Sequence, residues 1–170
     1  MMIGITGTPG TGKTSVAAEL ARRGYRVVHL TDTVRPYIIE EDRDRRVPVV
    51  DVDRWAAEFE PIDGIVEGHL AHYLPCDRVV VLRCRPDALR QRLSTRNYLP
   101  AKVRENVEAE ALDVILIETL EEHPAEHVFE VDTTALSAGE CADWIEQFIR
   151  GELPSSYGSI DWTDYLDSDV

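Results

Sequence analysis

The octapeptide Gly7-Thr8-Pro9-Gly10-Thr11-Gly12-Lys13-Thr14 constrains the fold more than any other stretch of the chain. It follows the apolar run Met2-Ile3-Gly4-Ile5 and leads into Ser15-Val16-Ala17-Ala18-Glu19-Leu20-Ala21, which reads as a helix. Strand, glycine loop and helix in that order aim successive backbone N–H groups and a helix N-terminus at one point, a geometry suited to a polyphosphate. Lys13 is one of 2 lysines set against 16 arginines, so its place in the pattern does not come from composition. The pattern implies a site for a nucleoside triphosphate, ATP or GTP. Gly10 and Gly12 let backbone N–H groups approach the phosphates, and Pro9 stiffens the turn. Lys13 brings a point charge to the β- and γ-phosphates, the Thr14 hydroxyl can ligate Mg²⁺, and Ser15 adds a second hydroxyl at the helix start.

Short apolar runs alternate with helical segments through most of the 170 residues. Strands are expected at 2–6, 25–30, 62–67, 78–83 and 127–131, and helices at 14–23, 53–59, 87–95 and 138–150. A short helical stretch is expected from Thr31 or Asp32 to Ile39, then a charged connection at 40–46; Val49-Val50 is too short to assign. Val103, Val107, Leu112, Ile115, Leu116 and Leu120 form a stripe of roughly 3.6-residue period, so 101–122 reads as one long helix. Alternating β and α with near-continuous apolar strands gives an α/β fold, a parallel sheet with helices on both faces. Residues 1–150 read as one phosphate-loop domain and 151–170 as a tail carrying Trp162 and Tyr165, which could dock on the body or on a partner.

The formal charge is −14, from 32 acidic and 18 basic side chains spread along the chain. Lysine-poor and acid-rich, this surface suits very high salt, where short Debye lengths suppress repulsion between carboxylates. It argues against tight generic binding to nucleic acid or an anionic membrane. Cys76, Cys84 and Cys141 lack metal-ligand spacing and read as buried or semi-buried thiols of a reducing cytosol. With no signal-peptide pattern and no apolar run near ~18 residues, the chain reads as cytoplasmic.

Other candidate site residues cluster by position. Glu67 ends the third strand, beside the first, where its carboxylate can hold the hydration shell of Mg²⁺; His69 would face the same crevice. Arg92 and Arg96, four apart and followed by the helix-breaking Asn97-Tyr98-Leu99-Pro100, suit guanidiniums that close over a γ-phosphate. Arg35 could grip an acceptor phosphate, while Asp32 reads as an N-cap or as a polar group of the acceptor site. Asp51 and Asp53 are candidate caps of the next helix.

In order along the chain come the glycine loop, Val49-Val50-Asp51-Val52-Asp53, Glu67-Gly68-His69, Arg92-Leu93-Ser94-Thr95-Arg96-Asn97-Tyr98 and Glu105-Asn106-Val107-Glu108-Ala109-Glu110. Over about residues 2–150 the sequence resembles the archaeal and eukaryotic nuclear-type adenylate kinases, the isoenzyme-six type, whose members also act as ATPases in small ribosomal subunit maturation. Many relatives carry Asp and an aromatic where this chain has Glu67-Gly68. The resemblance implies a nucleoside monophosphate kinase-like fold with a five-stranded parallel sheet. It also implies an AMP-binding segment near 28–54 with Arg35 and Asp32, and a short lid near 95–106. ATP contacts are implied at Gly10, Gly12, Lys13, Thr14, Ser15 and Arg96, with Mg²⁺. The implied substrates are ATP, AMP and ADP, and the implied partners a small-subunit ribosomal protein and pre-ribosomal particles. Two alternatives stand beside an adenylate kinase: an ATPase-type assembly factor with little kinase activity, and a kinase of a small alcohol with Asp32 as base.

Overall fold

The structure is a computed structural model and describes residues 1–42 and 47–166. Five strands form one parallel sheet: β1 (Met2–Thr6), β2 (Val27–His29), β5 (Gly64–Glu67), β6 (Arg78–Arg83) and β7 (Val128–Asp132), in the order β2-β5-β1-β6-β7. Between them come helices α1 (Lys13–Arg22), α2 (Thr31–Val34), α3 (Val52–Glu58), α4 (Pro86–Ser94), α5 (Pro100–Ala111), α6 (Val114–Glu122) and α7 (Ala138–Ile149). A separate two-stranded ribbon pairs β3 (Ile38–Asp42) with β4 (Val47–Val50) in antiparallel fashion.

The strands are apolar along their length because both faces of the sheet are covered. Alternate residues point to opposite faces, so Ile3, Ile5, Val80 and Leu82 join α1 and α7 residues such as Leu20 and Ile145 in one core. Met2, Val79 and Val81 join Trp55 of α3 and Leu116 of α6 in the other. Gly4 is the thin point of β1: a Cβ there would lie 2.9 Å from Cys76 Sγ. Cys76, Cys84 and Cys141 are all buried, and burial pushes their thiols up to about 12, 11 and 11.

Two expected segments fold differently. The 31–39 stretch is helical only to Val34, tightens into a 3-10 turn at Arg35–Tyr37 around Pro36, and then runs as a strand. Ile38 and Ile39 favour extended backbone, and Val47, Val49 and Val50 offer the partner that makes the ribbon. Part of the connection expected at 40–46 is therefore strand, and 43–46 lie outside the described residues. The helix expected over 101–122 is broken at Asp113, whose φ of 58° is left-handed. α5 sends Val103 and Val107 onto α4, while α6 sends Leu116 into the sheet core, and one straight axis cannot serve both. Leu112 at the junction is 51% exposed, so it does not belong to the stripe.

The segment after α7 returns to the sheet edge. The Glu130 amide donates to Ser156 O (2.8 Å) and the Ser156 amide to Val128 O (3.3 Å), covering the outer edge of β7. Among the described residues, no helix is long and apolar enough to cross a membrane.

Candidate phosphate-binding site

The loop between β1 and α1 owes its path to two glycines in particular. Gly12 is the N-cap of α1 with φ 102°, a conformation that L side chains rarely adopt. Gly10, at φ 93°, packs so closely on α4 that a Cβ would meet Leu89 and Leu93 at 2.9 Å. α1 has no acidic residue in its first turn and no side-chain cap, so no side chain of its own neutralises the positive end of its dipole, which suits an anion. Thr14 and Ser15 are exposed at that turn.

The Lys13 ammonium is buried and donates to Gly7 O (2.8 Å) and Thr8 O (3.1 Å). Burial lowers its pKa to about 8; the carboxylates of Glu67 and Glu110 oppose the shift, and the Arg96 cation adds to it. A polyphosphate against the loop would add negative charge to that of Glu67 and Glu110 and hold this buried cation charged. Glu67, buried at the end of β5, accepts from His29 across 2.6 Å. His29 ends β2 in direct register with Glu67, a neighbour that only the strand pairing shows. His69 is exposed beside them; crowding by protein and then the Lys13 charge lower its pKa.

Arg92 and Arg96 separate. Arg92 is expected over the γ-phosphate, yet its guanidinium donates to Gly10 O (3.3 Å), to Thr133 Oγ1 (3.3 Å) and to Thr133 O (3.1 Å), bracing the loop from α4. Arg96 lies beyond the end of α4, exposed, and near enough to Lys13 to lower its pKa. Asp32 and Arg35 pair with each other at 3.2 Å, both exposed. Leu30, not Asp32, occupies the N-cap of α2, with Asp32 in its first turn. Asp51 does cap α3, accepting from the Arg54 amide at 3.2 Å.

The structure adds residues that the pattern does not single out. Thr133, just after β7, donates from its hydroxyl to Thr11 O at 2.7 Å. Thr8 donates to Glu110 Oε2 at 2.6 Å. No three His, Cys, Asp or Glu side chains converge on a possible metal position among the described residues. Magnesium held mainly by substrate phosphates needs no such cage, and Thr14 and Glu67 supply the oxygen chemistry that it takes. The arrangement suits a polyphosphate: Lys13 is a buried cation under the loop, Arg96 an exposed one beyond α4, and Thr14 and Ser15 leave the outer face open.

A family model described as an AAA domain, AAA_18, matches residues 3–113. A protein of Natronomonas pharaonis named "Putative adenylate kinase" is 45% identical over 170 residues, covering 98% of this chain and 100% of its own length. One of the same name from Archaeoglobus fulgidus is 45% identical, covering 100% of this chain and 96% of its own. The chain belongs to this family of phosphate-loop proteins. Solved kinases share the fold of the family member described here. Deoxyadenosine kinase from M. mycoides, with products dCMP and dCDP bound, superposes with TM-score 0.59 at 15% identity, covering 90% of this chain and 100% of its own. A sugar kinase from Janibacter sp. superposes with TM-score 0.60 at 18% identity, over 88% and 94%. The five-stranded parallel sheet with helices on both faces is thus the phosphate-loop kinase fold.

Proposed function

We propose that this chain is an adenylate kinase, catalysing the reversible, Mg²⁺-dependent reaction ATP + AMP = 2 ADP. One observation carries the reading: a buried lysine at the N-terminus of α1, in a chain that matches proteins of that name over their whole length. Gly10, Gly12, Lys13, Thr14, Ser15 and Arg96 hold ATP. Thr14 would ligate Mg²⁺ and Glu67 would hold its water shell, and the ion would supply positive charge against the phosphates. The AMP phosphate is already an anion, so no general base is needed. The protein's part is positioning and neutralisation, with residues 95–106 limiting entry of water. The segment 28–54, with Arg35, receives AMP.

ATPase activity in small ribosomal subunit maturation is the second reading. The open face at Thr14 and Ser15 and a charge of −14 support it: water can reach bound ATP, and the acidic surface suits a basic ribosomal protein. A high-salt cytoplasm is the setting that this composition fits. The alcohol-kinase alternative is weaker, because Asp32 is exposed and engaged with Arg35.

The test offers ATP together with AMP, GMP or a panel of small alcohols and follows ADP. ADP formation that depends on AMP and vanishes in Lys13→Ala is the expected result. Turnover that depends on an alcohol would overturn the acceptor, and full turnover by Lys13→Ala would overturn the site.

A further inference from the structure

Behind the phosphate loop lies a buried ionic cluster that the reaction does not use directly. Thr8, Glu110 and Arg83 are 2%, 2% and 1% exposed. Glu110, on α5, accepts the Thr8 hydroxyl on one oxygen (2.6 Å). Its other oxygen accepts the Cys84 amide (3.1 Å) and Arg83 Nε (2.8 Å). Arg83, at the end of β6, also donates from Nη2 to Glu110 O (3.0 Å) and to Asp113 Oδ1, and from Nη1 to Glu130 Oε2 (2.6 Å). Burial works against the Arg83 charge, but the three carboxylates outweigh it and raise its pKa.

The open face of that guanidinium is covered by the tail. The Trp162 ring stacks over Arg83, 5.0 Å from ring centroid to guanidinium carbon, and is 8% exposed. The Gly158 amide donates to Glu130 Oε1 at 2.6 Å, fastening the second carboxylate. A continuous chain of buried contacts therefore runs from Trp162 through Arg83 and Glu110 to the Thr8 hydroxyl, inside the loop that carries Lys13. Its electrostatics matter as well as its geometry. An uncompensated Glu110 carboxylate behind an anion site would repel phosphate. Arg83 supplies the compensation.

We propose that Glu110 and Arg83 are positioning residues for the phosphate loop, and that the tail sets their position by seating Trp162 on Arg83. The proposal rests on the ATP site proposed above and adds to it a coupling between that site and residues 156–162. A bound nucleotide that fixes Thr8 tightens the tail, and a loosened tail weakens ATP binding by the same factor. Small displacements of such a loop are costly, since a shift of about 1 Å can lower rates on the order of a hundredfold.

Two pairs of variants of the full chain test this. Trp162→Ala is expected to raise KM for ATP about fivefold, the low end of measured couplings, while KM for AMP stays within about twofold. Trp162→Phe, which keeps an aromatic face, restores it. Thr8→Val, which keeps the volume and loses the hydroxyl, behaves like Trp162→Ala, and Thr8→Ser rescues. In the unsubstituted protein, amide hydrogen exchange at Gly158 slows on adding Mg²⁺-ATP, and this response disappears in Trp162→Ala. Unchanged KM for ATP in both Trp162→Ala and Thr8→Val would overturn the proposal, as would equal rises for both substrates. Binding of ATP with no change in exchange at Gly158 would overturn the coupling alone. Failure of the unsubstituted protein to bind ATP would overturn the donor site and the coupling together.

Discussion

Lys13 sits in a conflict between stability and function. Its pKa falls to about 8 from the usual 10.5, chiefly by burial. Between those two values the unfolded chain holds a proton that the folded chain has lost, so stability rises with pH through that window. Below about pH 8 the fold bears the full penalty, on the order of 3 kcal/mol, with the ammonium held by its bonds to Gly7 O and Thr8 O. Lys13→Met is therefore expected to raise the melting temperature at pH 7 while abolishing turnover, with the gain vanishing above about pH 10.5. A lower melting temperature at pH 7 would contradict this account. The positions of Lys13, Thr14 and the loop glycines at the turn into α1 are legible in the sequence because they are consecutive. Those of His29, Glu110 and Thr133 are not: each reaches the loop from another element, and only strand register or helix packing shows the approach.

At the scale of elements, local pattern and tertiary context compete. The inner strands β1, β5 and β6, buried on both faces, and helices α1, α4 and α7, each burying one apolar face, follow their patterns closely. α7 adds a capping box in which Ser137 Oγ accepts from the Glu140 amide and Glu140 from the Ser137 amide. Ser137→Ala should cost about 1 kcal/mol in urea unfolding. The 101–122 stripe misleads because helical periodicity continues across a break that Asp113 makes for its contact with Arg83. Leu112 and Leu116 share that stripe, yet one is 51% exposed and the other 5%. Leu112→Gln should change stability by under about 0.5 kcal/mol, and Leu116→Ala should lower it by about 2–4 kcal/mol. Equal losses would mean a continuous helix. The β3–β4 ribbon escapes a sequence reading because each strand is short and only the pairing of the two stabilises it.

Across the whole molecule, the charge of −14 acts on every element at once. Most of it lies on the surface, so screening decides how far the folded state repels itself. The melting temperature should climb steeply between about 0.1 and 3 M KCl, because the Debye length shrinks from about 10 Å to below 3 Å. A flat or falling curve would remove the high-salt reading. The fold as a whole was legible, because alternating strand and helix leave little but a parallel sheet covered on both faces. The tail's place was not, because 151–170 carries no periodicity and its contacts depend on Arg83 and Glu130 in distant strands.

The central claim is transfer of the γ-phosphoryl group from ATP on the Lys13 loop to AMP. Phosphorus NMR of the protein with Mg²⁺-ATP in molar KCl, recorded with and without AMP, addresses it directly, because ADP and inorganic phosphate give separate resonances. The account predicts rapid ADP formation that requires AMP, releases little free phosphate and is absent in Lys13→Ala. Slow release of free phosphate at a rate indifferent to AMP would contradict it, and would leave an ATPase in place of a kinase.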